Sequence, residues 1–142
     1  MAKPQVWVNR FFVGVDFAPQ YAASNKYLLP ARHIAWYESP LDAAVSIMEE
    51  QVGLKTAKSK IRMLDVQSHV RGDLNSVTKP PHWDICFVYE TKVSTKAARD
   101  LKTPSWFKEF GFVSLPSLSL GDFTRGHGDI LQVAGLLHQR KG

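Results

Sequence analysis

The chain has one cysteine, Cys86, in 142 residues. No disulfide can form within it, and the expected setting is a reducing, cytoplasmic one. Long apolar runs are missing too. Nothing approaches the about 20 residues that a membrane-crossing helix needs, so no membrane is expected among its partners. The opening stretch, MAKPQVWVNRFF, lacks the long apolar core of a secretory signal. No internal repeat and no low-complexity tract is present. Acidic side chains are the scarcer sign: 13 Asp and Glu stand against 18 Lys and Arg, giving a net charge of +5 and a pI near 9.4. That excess draws phosphates, nucleotides and RNA by long-range attraction. A face of solvated lysines is the plainer account of the same numbers.

What is present suits one domain spanning 1–142. The hydrophobic fraction is 44%, enough for a chain of this length to bury a core without disulfide or metal. Val6 to Phe17 is rich in β-branched and aromatic residues and predicts a strand, with Gly14 marking a bulge or bend. Lys26 to Leu29 predicts a short strand stopped by Pro30. Ser39-Pro40-Leu41-Asp42 opens a helix: Ser39 caps it, Pro40 suits its first position, and Asp42 completes a capping box. Leu41, Ala44, Val45, Met48 and Val52 recur at helical spacing as its core face, and Gly53 supplies a left-handed stop. A basic link from Thr56 to Lys60 leads to a strand over Ile61–Val70. After a loop closed by two prolines comes the clearest strand, Asp84–Val93. There Ile85, Phe87 and Tyr89 share one face, and Cys86 and Val88 the other. Thr95 to Lys102 reads as a helical turn or a polar loop. The terminal segment Ile130–Gln139 reads as a helix with Ile130, Val133, Ala134 and Leu137 on one face. Asp129 at its start and Arg140-Lys141 at its end complement the helix dipole.

The stretch LPARHIAWYESPLDAAVSIMEEQVGL, Leu29 to Leu54, resembles the Nudix box with its lead-in. In that family a strand delivers a Pro-Gly-Gly turn, and the box reads G-x5-E-x7-R-E-U-x-E-E-x-G-U, where U is aliphatic. Anchored on Gly53-Leu54, the chain keeps Pro30, Glu38, Met48, Glu50, Gly53 and Leu54. It departs at Ala31 and Arg32 for two glycines, Ser46 for the arginine, and Ile47 and Gln51 for two glutamates. Trp106-Phe107 followed by Leu115-Pro116 resembles a late signature of the same family. The resemblance covers the chain from about Lys26 onward. It implies an α/β/α sandwich around a mixed β-sheet, frequent homodimers, and hydrolysis of a nucleoside diphosphate derivative with Mg2+ or Mn2+ held by the box glutamates. A hard dication prefers oxygen ligands, bridges diphosphate oxygens and helps to generate the attacking hydroxide.

Most of that chemistry is altered here. Ile47 cannot ligate a metal, Gln51 is a weaker ligand than a carboxylate, and Ser46 replaces the arginine that orients a glutamate. Glu50 and Glu38 remain as candidate metal ligands, with Glu50 the candidate catalytic residue of the box. Each also reads as a plain helix-surface or first-turn acid. Some Nudix enzymes take their base from a late loop, and the loop here offers Asp122 and His127, with Arg125 for a phosphate. A solvated loop whose Asp129 caps the last helix is the duller account. Arg32 suits metal-free phosphate holding or simple exposure. His33 follows the altered turn, and Trp83 is a candidate to stack on a base or to pack as a rim aromatic. The basic run Lys55, Lys58, Lys60 and Arg62, with Trp7, Tyr27 and Trp36 elsewhere on the domain, offers an RNA or nucleotide surface. Three functions are therefore expected. The first is an altered Nudix-like protein binding a nucleotide or other phosphate-bearing small molecule without efficient hydrolysis. The second is a divergent metal-dependent hydrolase, and the third an interaction module associated with RNA.

Overall fold

The computed structural model of the chain describes residues 10–16, 26–72, 75, 77–78, 81–101, 107–123 and 126–137. The apolar segment near the start forms β1 (Arg10–Asp16). It pairs antiparallel with β2 (Tyr27–Leu28) and with β5 (Phe107–Ser114), in the order β2-β1-β5. Its register with β5 slips between Gly14 and Asp16, the irregularity expected at the glycine. The expected strand residues 6–9 and 17 lie outside the described residues, as does Trp106.

A second sheet is a long antiparallel hairpin of β3 (Ile61–Arg71) and β4 (His82–Thr91), with a bulge between Met63 and Asp65. Helices and strands are thus mixed in an α/β chain, with the described strands divided over two antiparallel sheets. An isolated parallel bridge joins Tyr27 to Phe123. The hairpin keeps the predicted alternation, with Val88 buried on one face. On the other, Val66 lies opposite Phe87 and Val70 opposite Trp83, all exposed. The buried face carries Gln67, whose amide donates to the Asp65 carboxylate and to the Ile130 carbonyl, both at 2.9 Å. That second bond ties the hairpin to the last helix.

Helix α1 (Pro40–Ile47) starts where its local signals place it. The Ser39 hydroxyl accepts from the Asp42 N–H at 3.1 Å, and Pro40 takes the first position. Ala44 and Val52 are buried as the spacing predicts, and Ala43 joins them. The helix does not continue as an ideal α-helix. Met48–Val52 forms a wider π turn, which Gly53 ends in the left-handed conformation at φ 83°. Thr95–Arg99 forms the short helix α2, capped by Ser94.

The terminal helix departs from its predicted span. α3 runs over His127–Val133, starting three residues earlier than expected and ending well short of Gln139. Gly135, at φ 78°, ends it: the Leu136 N–H reaches back to Leu131 O at 2.9 Å and the Gly135 N–H to Gln132 O at 3.0 Å. The apolar face is also rotated. Leu131 is fully buried, whereas Val133 is 61% exposed. Leu131 packs with Leu115, Phe123 and Leu137 in the main buried cluster, ringed by Tyr27, Leu29, Leu118 and Leu120. This core sits beside the turn that follows β2. Among the described residues no helix is long and apolar enough to cross a membrane.

Candidate functional site

The turn after β2 is held from three sides. At its entry, the Leu29 N–H donates to His127 Nδ1 at 2.8 Å across 98 residues of sequence. One residue past Pro30, Gln51 pairs with the backbone of Ala31 like a strand partner: Oε1 accepts from Ala31 N–H at 3.1 Å, and Nε2 donates to Ala31 O at 2.8 Å. Farther along, Arg32 and Glu38 form a two-pronged pair, Nη1 to Oε1 at 2.5 Å and Nη2 to Oε2 at 3.0 Å. Arg32 Nη1 also donates to His33 O at 2.9 Å, and the Ala35 N–H donates to Glu38 Oε1 at 2.8 Å. The Arg32 guanidinium, then the Ala35 N–H, holds the Glu38 carboxyl below the usual carboxylate range.

Arg32 is therefore not simply exposed. Its side chain is largely covered, and its charge answers Glu38 rather than open solvent. Glu50 lies close enough to add to the field that favours the charged guanidinium, after the Glu38 contributions. Glu50 itself is exposed, as are Glu49 and His33. The π turn has more residues per turn than an α-helix, so it rotates successive side chains by less than the about 100° of an α-helix and shifts the faces that they present. It also brings Gln51 to Ala31.

The late-loop candidates have structural partners. Asp122 accepts from the Ser119 N–H at 2.8 Å and closes a short 3-10 turn over Leu120–Asp122. His127 opens α3 with Nδ1 occupied by Leu29. Trp83 stands on the hairpin's outer face, 66% exposed, its indole N–H donating to Ser68 Oγ at 2.5 Å. Arg125 lies outside the described residues. The turn brings Arg32, Glu38, Gln51 and His127 together; Asp122 and Trp83 make their bonds elsewhere.

As a donor set for Mg2+ or Mn2+, these residues do not fit. Both Glu38 oxygens accept from Arg32, Gln51 spends its amide on Ala31, and Ile47 offers no donor, leaving Glu50 alone. Among the described residues, no group of three or more His, Cys, Asp or Glu side chains is arranged to hold a metal ion.

Two features were not legible in the sequence: the Gln51 clamp, and the exposure of Tyr37 (79%) beside Trp36 (94%), the latter already a candidate for a nucleic-acid surface, at the far end of the turn. Two adjacent aromatics just ahead of the helix cap Ser39 were the available signal for the second. The clamp makes a sharp prediction. Gln51→Glu, which puts a carboxylate at this position, is expected to loosen the turn rather than create a metal site. A carboxylate cannot donate to Ala31 O and repels it, costing about 1 kcal/mol or more at neutral pH. The penalty should shrink in acid, where a protonated carboxyl regains a donor; urea unfolding at both pH values checks this. Equal stability of variant and wild type at neutral pH would rule the clamp out as a support. Compared with models of known protein families and with curated proteins, the chain matches none.

Proposed function

We propose that the chain is a Nudix-like α/β/α protein that binds a nucleotide or another phosphate-bearing ligand without efficient hydrolysis. One observation carries this reading. Glu38 and Gln51, which occupy acid positions of the box, spend their polar side-chain atoms on holding the turn. The frame that would present a ligand is thereby made rigid, and the donors that would gather a dication are used up. The net charge of +5 favours a phosphate-bearing partner. A fixed turn also lowers the ordering cost of binding.

The test is a panel of nucleoside diphosphate sugars, dinucleoside polyphosphates, NADH, ADP-ribose and nucleoside triphosphates, run with Mg2+ and with Mn2+ beside Glu50→Gln. The expected result is no metal-dependent product, together with thermal stabilisation by at least one member. A ligand at about 100 times its Kd adds roughly 2.7 kcal/mol. Turnover that needs metal and disappears in Glu50→Gln would replace this reading with a divergent hydrolase.

A further inference from the structure

We propose that Trp36 and Tyr37, with the lysines of the Lys55–Lys60 link, form a stacking platform for single-stranded nucleic acid. This deepens the reading above, because the ligand carries phosphates, and it names both the ligand class and the surface.

Trp36 is 94% and Tyr37 79% exposed, so nearly all their ring area faces water. Large apolar rings held in solvent are costly unless something covers them. They are held there by a tied backbone: Glu38 N–H donates to Ala35 O at 3.1 Å, and the Glu38 carboxylate takes Ala35 N–H and the Arg32 fork. Positive charge is anchored at the first turn of α1, the helix that follows Tyr37 in the chain. Lys58 Nζ lies 2.5 Å from Asp42 Oδ1, and the Asp42 N–H donates to Ser39 Oγ, two residues beyond Tyr37. Lys55 and Lys60 are exposed in the same link. Both members of the Lys58–Asp42 pair are well exposed, so the pair is weak and a phosphate can displace the carboxylate. The acids Glu49 and Glu50 are exposed too, in the π turn that follows α1.

Ring geometry selects the ligand. The two rings stand 6.0 Å apart, edge to face at 85°. Perpendicular rings cannot sandwich one planar base, so each offers its face to a different base. Two bases joined by a phosphate, with further phosphates over the lysines, describe an oligonucleotide rather than a mononucleotide. A duplex hides its base faces and cannot use either ring. Stacking accepts any base, so little sequence preference is expected.

The experiment measures fluorescence anisotropy of labelled single-stranded RNA, single-stranded DNA and duplex of about 12 nucleotides, using the full chain across a salt series. Parallel thermal melts use ADP and inorganic phosphate. Single strands should bind in preference to duplex, and Trp36→Ala and Tyr37→Ala should each weaken them on the order of tenfold. Lys58→Ala should flatten the log–log salt slope by about 0.7. Circular dichroism confirms that these surface variants fold. Oligonucleotide affinity unchanged by both aromatic variants overturns the platform, while stabilisation by ADP in the same melts would leave the nucleotide-binding reading standing. No response to any oligonucleotide, ADP or phosphate, with the wider panel also silent, removes both. If the aromatic variants change only self-association in sedimentation, the surface is a protein contact and the proposal is overturned.

Discussion

Leu131→Ala is expected to lower the unfolding free energy by about 2–5 kcal/mol, the range for a leucine deleted from a tight core. Leu131 has no exposed surface and packs among Leu115, Phe123 and Leu137. The surroundings have little room to collapse into the gap. A Cβ at Gly128 would already come within 3.2 Å of both Leu120 Cδ2 and the Leu120 carbonyl, so α3 is seated close against the 3-10 turn. The effect should reach the site, because α3 carries the imidazole that accepts from the Leu29 N–H. Urea unfolding gives the stability change, and hydrogen exchange at the Leu29 amide shows whether the turn loosens with it. A loss under about 1 kcal/mol would mean that α3 is not seated on this core as described.

The parts legible in the sequence were those written by neighbouring residues. Ser39, Pro40 and Gly53 mark the start of α1 and the end of the π turn that continues it, and all three act as their chemistry requires. The glycine irregularity in β1 and the two faces of β4 are likewise local. Tertiary choices were not legible. Alternation in β4 separates Ile85 and Phe87 from Val88, yet cannot say that the first face stays exposed. The bounds of α3 are not legible because Gly135 stands within the apolar periodicity and Gly128 within a stretch of loop composition. Gly128 instead lies within the helix, where its missing side chain permits the close approach to Leu120. At the candidate site, the residue types at positions 38 and 51 were visible, but their partners were not. Gln51 meets Ala31 across 20 residues and His127 meets Leu29 across 98, distances at which no spacing rule operates.

Glu38→Gln should open the turn without disturbing the core. The change is nearly isosteric, but it converts one acceptor oxygen into an NH2 group and removes the charge that Arg32 answers. Either orientation of the amide leaves one prong of the guanidinium facing a donor. Arg32 Nε is already buried without a hydrogen-bond partner, so the guanidinium has little else to fall back on. The Ala35 N–H, which donates to Glu38 Oε1 at 2.8 Å, is the natural reporter. Its exchange should accelerate roughly tenfold or more in the variant. The same bond predicts a pH dependence. Because Arg32 and then Ala35 depress the Glu38 carboxyl in the folded state, its contribution is fully present above the ordinary carboxylate range. It is lost as pH falls through the lowered folded value. Wild-type Ala35 protection, corrected for intrinsic exchange, should therefore fall in acid, whereas Glu38→Gln should show weak protection with no such step. Opening of this turn would also release the backbone that holds Trp36 and Tyr37 apart from the core. Oligonucleotide affinity should then drop in Glu38→Gln although no stacking ring has been removed. Unchanged affinity beside accelerated Ala35 exchange would show that the rings need no fixed base, and the rigidity argument for the platform would fail while its chemistry survived.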